Sequence, residues 1–255
     1  MTLAFLNDLL GTPDVASEHG AQVKNMAEVV HWVMAVLGVG WGIFVFYALW
    51  RFRAKRNPKA IYSGVTSHFS THVEVGVIVV EVVLLLGFAF PLWAARVERI
   101  PVDRSNAVKV RAVAEQFRWT FHYAGPDNSM GLTKLRSITS ANPIGLVEQD
   151  PNATDDFVSV NELVLPKGRT CVVQVTSKDV IHGLALIPMW IQADAIPGKE
   201  IPIWFVPTKT GEWDIVCAQL CGQSHARMVS KLKVMEGKDF DKWYAGQNPL
   251  LPKKP

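Results

Sequence analysis

The segment Cys217-Ala218-Gln219-Leu220-Cys221-Gly222-Gln223-Ser224-His225-Ala226-Arg227-Met228 gathers two thiols, an imidazole and a thioether within twelve residues. The preceding Trp213-Asp214-Ile215-Val216 reads as a strand, so the segment is a loop hanging from a sheet. Soft sulfur beside imidazole selects copper or zinc over magnesium or calcium, and a methionine donor points to copper. A structural zinc site usually adds two histidines or two more cysteines to its first pair, which this spacing does not offer. The segment therefore reads as a copper-holding loop for electron transfer, carried on a β-rich domain.

Composition bounds where such a loop can work. The chain has 255 residues, enough for one large domain or two modest ones, and a formal charge of only +3. So small a charge argues against a nucleic-acid binder. Hydrophobic residues make up 49%, enough that some of them are expected to face lipid. Of the three cysteines, Cys171 lies in the strand-like Thr170-Cys171-Val172-Val173-Gln174-Val175 and reads as a small buried hydrophobe. A disulfide between Cys217 and Cys221 would leave His225 and Met228 unexplained.

Outward from the loop, the chain falls into four parts. Residues 1–26 form a turn-rich external tail, whose Ala4-Phe5-Leu6 and Leu9-Leu10 are too short for a signal peptide. Residues 27–95 form a transmembrane hairpin, with spans over about 27–50 and 73–95. The first runs without a charged side chain from Glu28 to Arg51, above the roughly 20 residues a bilayer requires. Arg51, Arg53, Lys55, Arg56 and Lys59 make the connecting loop, residues 51–72, basic and hence cytoplasmic. Both termini and the copper loop then lie outside. Glu81 falls inside the second span, where a carboxylate serves a function or bonds a neighbouring helix; Glu74 stands near the cytoplasmic boundary. Residues 105–247 carry short alternating runs, such as Ala107–Ala114 and Phe117–Tyr123, with a long polar loop over 127–156. Many short, half-buried antiparallel strands predict a β-sandwich or barrel. Residues 248–255 are a tail, expected to fray.

The loop is one imidazole short of serving two metals. His182 stands at a strand start in the same β-domain, after Ser177-Lys178-Asp179-Val180-Ile181. A lone histidine is usually an ordinary polar residue, but beside this loop His182 becomes the candidate ligand.

Two spans followed by an external domain with Ser177-x-Asp179-Val180-x-His182 and Cys217-x3-Cys221-x3-His225-x2-Met228 resemble subunit II of haem-copper terminal oxidases, the cytochrome c oxidase type. Ala193-Asp194-Ala195-Ile196-Pro197-Gly198 and Asn161-Glu162-Leu163-Val164-Leu165-Pro166 add to the resemblance, which covers nearly all of the chain after residue 25. It implies a cupredoxin fold and a dinuclear copper centre, CuA, with Cys217 and Cys221 bridging two coppers. His182 and His225 would each complete one metal, with Met228 and the carbonyl of Gln219 as weak outer ligands. It further implies electrons arriving from cytochrome c or a donor complex and leaving to haem in subunit I. There oxygen is reduced and protons are translocated, so this subunit is not catalytic alone. Glu74, seventeen residues before Pro91, matches the family's glutamate at a proton-path mouth.

Departures from the family pattern bear on two sites. The family usually has Glu at position 219, whose side chain helps to hold magnesium at the subunit I boundary. Gln219 leaves copper ligation untouched but is a weaker partner for a hard cation, although Asp194 retains a carboxylate. In the aromatic stretch Gln116-Phe117-Arg118-Trp119, Phe117 replaces the tryptophan at which electrons arrive in the family. No C-x-x-C-H follows the barrel, so no fused cytochrome c is expected. The competing readings are a quinol oxidase subunit II, which lacks the copper ligands, a membrane-anchored copper carrier, and a structural zinc module.

Overall fold

The computed structural model describes residues 9–59, 62, 64, 67–97 and 107–251. Outside these lie the first eight residues of the expected N-terminal tail, the last four of the C-terminal tail, part of the 51–72 loop and the start of the 105–247 domain.

Helix α1 spans Gly20–Arg51 and α2 spans Phe69–Leu84, continuing through a π-turn at Leu85–Ala89 into α3, Phe90–Val97. Pro91 accounts for the π-turn: it has no N–H to offer the carbonyl one turn back, and its ring crowds that carbonyl. Both helical stretches are long and apolar enough to cross a bilayer. Their large apolar side chains face outward, Trp41 at 65% and Phe46 at 74% exposure among them. A helix apolar on all sides belongs in lipid. The first helix starts seven residues before the span read from sequence, because Gly20–Met26 is polar but still helical.

The other unit is built of strands β1 Val108–Glu115, β2 Arg118–Tyr123, β3 Phe157–Val160, β4 Glu162–Pro166, β5 Cys171–Ser177, β6 His182–Leu186, β7 Ile191–Ala195, β8 Ile201–Phe205, β9 Gly211–Cys217 and β10 Val229–Met235, with helix α4 over Gly237–Ala245. They form two five-stranded sheets, ordered β3-β2-β1-β5-β8 and β4-β10-β9-β6-β7. Alternate side chains meet between the sheets: Val110, Ala112 and Ala114 from β1, Trp119, Phe121 and Tyr123 from β2, Leu163 and Leu165 from β4, Leu184 and Leu186 from β6. The Tyr123 hydroxyl joins the layers, donating to the Val164 carbonyl at 3.0 Å and accepting from the Val164 N–H at 2.8 Å. Asn161 turns the chain from one sheet to the other at φ 58°, a backbone region that asparagine enters more readily than most residues.

Three features differ from the sequence reading. Strands β1 and β5, and β4 and β10, pair in parallel rather than antiparallel. Strand β1 is buried on both faces, because the long loop after β2 folds over its outer side: Val113 packs with Ile144, Leu146, Ala153 and Leu251. The chain is therefore held as far as Leu251, and the Leu250 N–H donates to the Asp156 carbonyl at 2.7 Å. At the other end, residues 16–18 belong to the β unit. The Ala16 N–H reaches the Pro188 carbonyl at 2.7 Å, and the Ser17 hydroxyl reaches the Met189 carbonyl at 2.7 Å.

Beneath the long loop lies a buried charged cluster. Arg111 and His122 are cross-strand neighbours on β1 and β2. Arg111 donates to His122 Nδ1 at 3.2 Å, so Nε2 carries the proton and faces Asp156 Oδ2 at 2.6 Å. Arg111 also pairs with Glu200 at 3.1 Å. Burial holds the His122 pKa below its ordinary value, and Arg111 adds to this, against the pull of Asp156. The folded state thus refuses a proton that the unfolded chain accepts below pH about 6.5, so stability falls as pH drops through that value. Urea unfolding of the full chain in detergent between pH 7 and 5 should show this slope, at most about 1.4 kcal/mol per pH unit from this group. His122→Gln should flatten it; an unchanged slope would refute the assignment.

Candidate metal centre

The donor atoms come from two places that the sheet β4-β10-β9-β6-β7 brings together. β6 starts at His182, β9 ends at Cys217, and the two strands are hydrogen-bonded neighbours through Leu184 and Cys217. The loop from Cys217 returns at Val229 to pair with Val216, so both its ends are anchored in one antiparallel ladder. Its first turn lies directly over β6. The Ala218 N–H donates to the Gly183 carbonyl at 2.9 Å. A Cβ on Gly183 would stand 3.0 Å from the Ala218 carbonyl carbon and 3.1 Å from Gln219 N, so a side chain there would make the loop backbone give by a few tenths of an ångström.

Cys217 Sγ and Cys221 Sγ lie 3.8 Å apart and are free thiols, too far apart for a disulfide. His182 Nδ1 faces Cys217 Sγ at 3.9 Å, and His225 Nδ1 faces Cys221 Sγ at 3.6 Å. Met228 Sδ stands 3.8 Å from Cys221 Sγ, and the Gln219 carbonyl oxygen 3.2 Å from Cys217 Sγ. His182, Cys217, Cys221 and Met228 are buried, while His225 is partly exposed. Burial, reinforced by the neighbouring Cys217 thiol, pushes the Cys221 pKa up to about 11. His182, Cys217 and Cys221 are the one grouping of three histidine, cysteine or acidic side chains among the described residues that can hold a metal ion.

The orientation of His182 has an identifiable cause. Its Nε2–H donates to Asp179 Oδ1 at 2.9 Å, which leaves the Nδ1 lone pair facing the thiols. Burial opposes ionisation of Asp179, but hydrogen bonds from His182 and from the Gln116 and Val180 N–H groups outweigh it and hold the carboxyl below the ordinary carboxylate range. Sequence reading quoted Asp179 and Gln116 within motifs but gave neither a task. The short Ser177-x-Asp179-x2-His182 spacing carries that signal, since such a turn folds a carboxylate back onto the imidazole.

The remaining candidates fall around this cluster. The buried Trp119 ring sits edge-on to His182, with centroids 6.2 Å apart. Phe117 lies against the loop, close enough that a Cβ on Gly222 would be 3.0 Å from its ring. Gln219 Nε2 donates weakly to Asp194 Oδ1 at 3.4 Å. Glu74 lies on α2, in the helical unit, not the β unit that holds the cluster.

A two-sheet sandwich with buried thiols, imidazoles and a thioether at one end, on a chain with two membrane-length helices, is a membrane-anchored cupredoxin-like metal protein. The family model described as "Cytochrome C oxidase subunit II, periplasmic domain" matches residues 108–235, and the chain belongs to that family. The alternative cytochrome c oxidase subunit 2 of Bradyrhizobium diazoefficiens is 29% identical over 226 residues, covering 88% of this chain and 80% of its own length. Cytochrome c oxidase subunit 2 of Cereibacter sphaeroides is 27% identical over 239 residues, covering 86% and 76%. Among solved structures, the periplasmic domain of cytochrome oxidase subunit II from Bradyrhizobium japonicum shows 33% identity and a TM-score of 0.40, over 54% of this chain and 91% of that one. Membership makes this chain a copper-binding subunit of an oxidoreductase complex.

Gly183→Ala tests how closely the loop must approach. The added methyl should force Ala218 and Gln219 away from β6, lowering stability by about 1–3 kcal/mol and weakening copper retention. Thermal unfolding and metal content of the purified full chain check both; wild-type values would mean that the loop has slack.

Proposed function

We propose that this chain is the electron-accepting subunit of a haem-copper terminal oxidase, with a dinuclear copper centre, CuA, at the end of its β-sandwich. One observation carries the reading: two free thiols lie 3.8 Å apart, each faced by a different imidazole Nδ1. The donor set fits copper, being two sulfurs and two imidazoles with a thioether and a carbonyl behind them. Cys217 and Cys221 would bridge the two ions, His182 and His225 would each complete one, and Met228 and the Gln219 carbonyl would be the outer ligands. When bound, such a pair shares one electron across the bridging thiolates. The protein's own part is to hold the donors in place beforehand. Asp179 fixes the His182 tautomer, Gly183 sets the loop height, and the buried Trp119 keeps water from the His182 side.

Electrons would arrive near Phe117 and Trp119 from cytochrome c or a cytochrome-bearing partner complex, and leave to haem in subunit I. Oxygen reduction and proton translocation belong to that partner, with Glu74 at the proton-path mouth. The basic loop supports a cytoplasmic hairpin, with both termini and the copper domain on the periplasmic side of a bacterial inner membrane or its equivalent. A copper carrier would expose exchangeable ligands, whereas here three of the four sulfur and imidazole groups nearest the centre are buried: His182, Cys217 and Cys221. A quinol oxidase subunit would lack ligands that are all present here. For magnesium, the rim of the site offers Asp194 and the neutral amide of Gln219.

Loading the full chain in detergent with copper should give two ions per chain and a purple, mixed-valence spectrum; one copper, or stoichiometric zinc, would sink the proposal. His182→Ala and Cys221→Ser should each abolish that spectrum while circular dichroism still reports a folded β-domain. Because Phe117 stands where the family places tryptophan, the assembled oxidase should turn over slowly with added soluble cytochrome c. Rapid, salt-sensitive oxidation would show instead that Phe117 serves as well.

A further inference from the structure

The turn between β1 and β2 touches both segments that carry metal donors, and it does so through one residue. The Gln116 N–H donates to Asp179 Oδ2 at 2.7 Å, while the other oxygen of that carboxylate holds His182. The Gln116 side-chain amide donates to the Cys221 carbonyl at 2.6 Å. The next residue, Phe117, packs on Gly222, where a Cβ would stand 2.9 Å from Gln116 Nε2 and 3.0 Å from the Phe117 ring.

These two contacts differ in how much else supports them. The segment before His182 is tied to β1 several times over: Ala114 and Ser177 are ladder partners, the Lys178 N–H reaches the Ala114 carbonyl at 3.0 Å, and Lys178 pairs with Glu115 at 2.5 Å. The Cys221 side has no such redundancy. Between Gln219 and Arg227, the side-chain hydrogen bonds to other elements among the described residues are Gln116–Cys221 and the weaker 3.4 Å contact of Gln219 with Asp194. Cys221 also carries the sulfur that faces both His225 and Met228, so a shift of its backbone alters the sulfur's place relative to both.

We infer that Gln116 is a positioning residue for the metal centre: its side-chain amide sets the place of Cys221 relative to the Asp179–His182 pair, joining the two donor segments into one rigid frame. The inference rests on the copper reading above. A purely structural role would cost stability alone. A positioning role also changes the spectrum, the reduction potential and the grip on copper, because donors that can drift no longer present one geometry.

The test compares Gln116→Glu, Gln116→Leu and wild type in the full chain, loaded with copper in detergent. Glutamate keeps the shape but, ionised at neutral pH, cannot donate to the Cys221 carbonyl; leucine keeps the bulk without the amide. Both should still load copper but lose it to a competing chelator about tenfold more readily. Both should also show an altered visible spectrum and a shifted reduction potential, with metal-free thermal unfolding near wild type. Wild-type spectrum, potential and retention in both variants would overturn the inference. If either variant fails to fold, Gln116→Met decides: it keeps the length of the side chain without the amide and should give the same spectral change, while a wild-type spectrum there would count against the inference. A wild-type chain that takes up no copper would instead bring down the copper reading itself.

Discussion

The hydrogen bond from His182 Nε2 to Asp179, 2.9 Å long, is the contact on which the site depends. An imidazole has two nitrogens and in its neutral form one proton, so whichever nitrogen donates leaves the other free to ligate. Asp179 settles that choice and also the angle of the ring. Reversal of the tautomer would turn an Nε2 lone pair towards a carboxylate, a repulsive contact in place of a hydrogen bond, and would leave Nδ1 protonated with no lone pair for a metal. The carboxylate can do this because it is itself held by the Gln116 and Val180 N–H groups at 2.7 and 2.6 Å. Charge, tautomer and backbone turn are thus decided together, and ahead of any metal.

The sandwich makes that decision durable. Strands β6 and β9 lie side by side, so His182 and Cys217 inherit their separation from a ladder rather than from loop conformation. Behind them, Leu184, Leu186, Trp119 and Phe121 fill the space between the sheets. Tyr123 stitches one layer to the other, and Asn161 ties its carbonyl to the Lys231 N–H at 2.8 Å and its side chain to the Trp119 N–H at 3.0 Å. A close-packed core of this kind transmits little displacement, so the donor atoms keep their places.

How much of this was legible in the sequence follows the range of each contact. Cys217, Cys221, His225 and Met228 lie within one loop, so their spacing alone is enough to propose a metal site. His182 stands out because the loop is one imidazole short and His182 starts a strand in the same β-domain; the β6–β9 pairing is what brings it within reach. Gln116 was invisible as a positioning residue because its partners Asp179 and Cys221 are 63 and 105 residues away. Strand texture found most strands but not β3, whose four residues Phe157–Val160 adjoin the acidic end of the long loop, nor β7, read only as part of a motif. The outer face of β1 misled for a clear reason. Arg111 and Val113 look like solvent-facing residues in an alternating strand, and only the fold of the 127–156 loop reveals a cover over them.

Gln219 shows how one substitution at the rim leaves the centre alone while changing what the rim needs. Its carbonyl faces Cys217 whatever its side chain, so the metal-facing surface is indifferent to the change. Its side chain meets Asp194 at 3.4 Å. A glutamate there would set two carboxylates at that distance, and like charges so close require a shared proton or a bridging cation. The amide removes the requirement, because its N–H donates to the carboxylate that a second acid would repel. A hard cation at this place would then find one carboxylate from Asp194 and a neutral amide oxygen, a weaker partner than a second carboxylate. The rim in this protein closes on itself by a hydrogen bond.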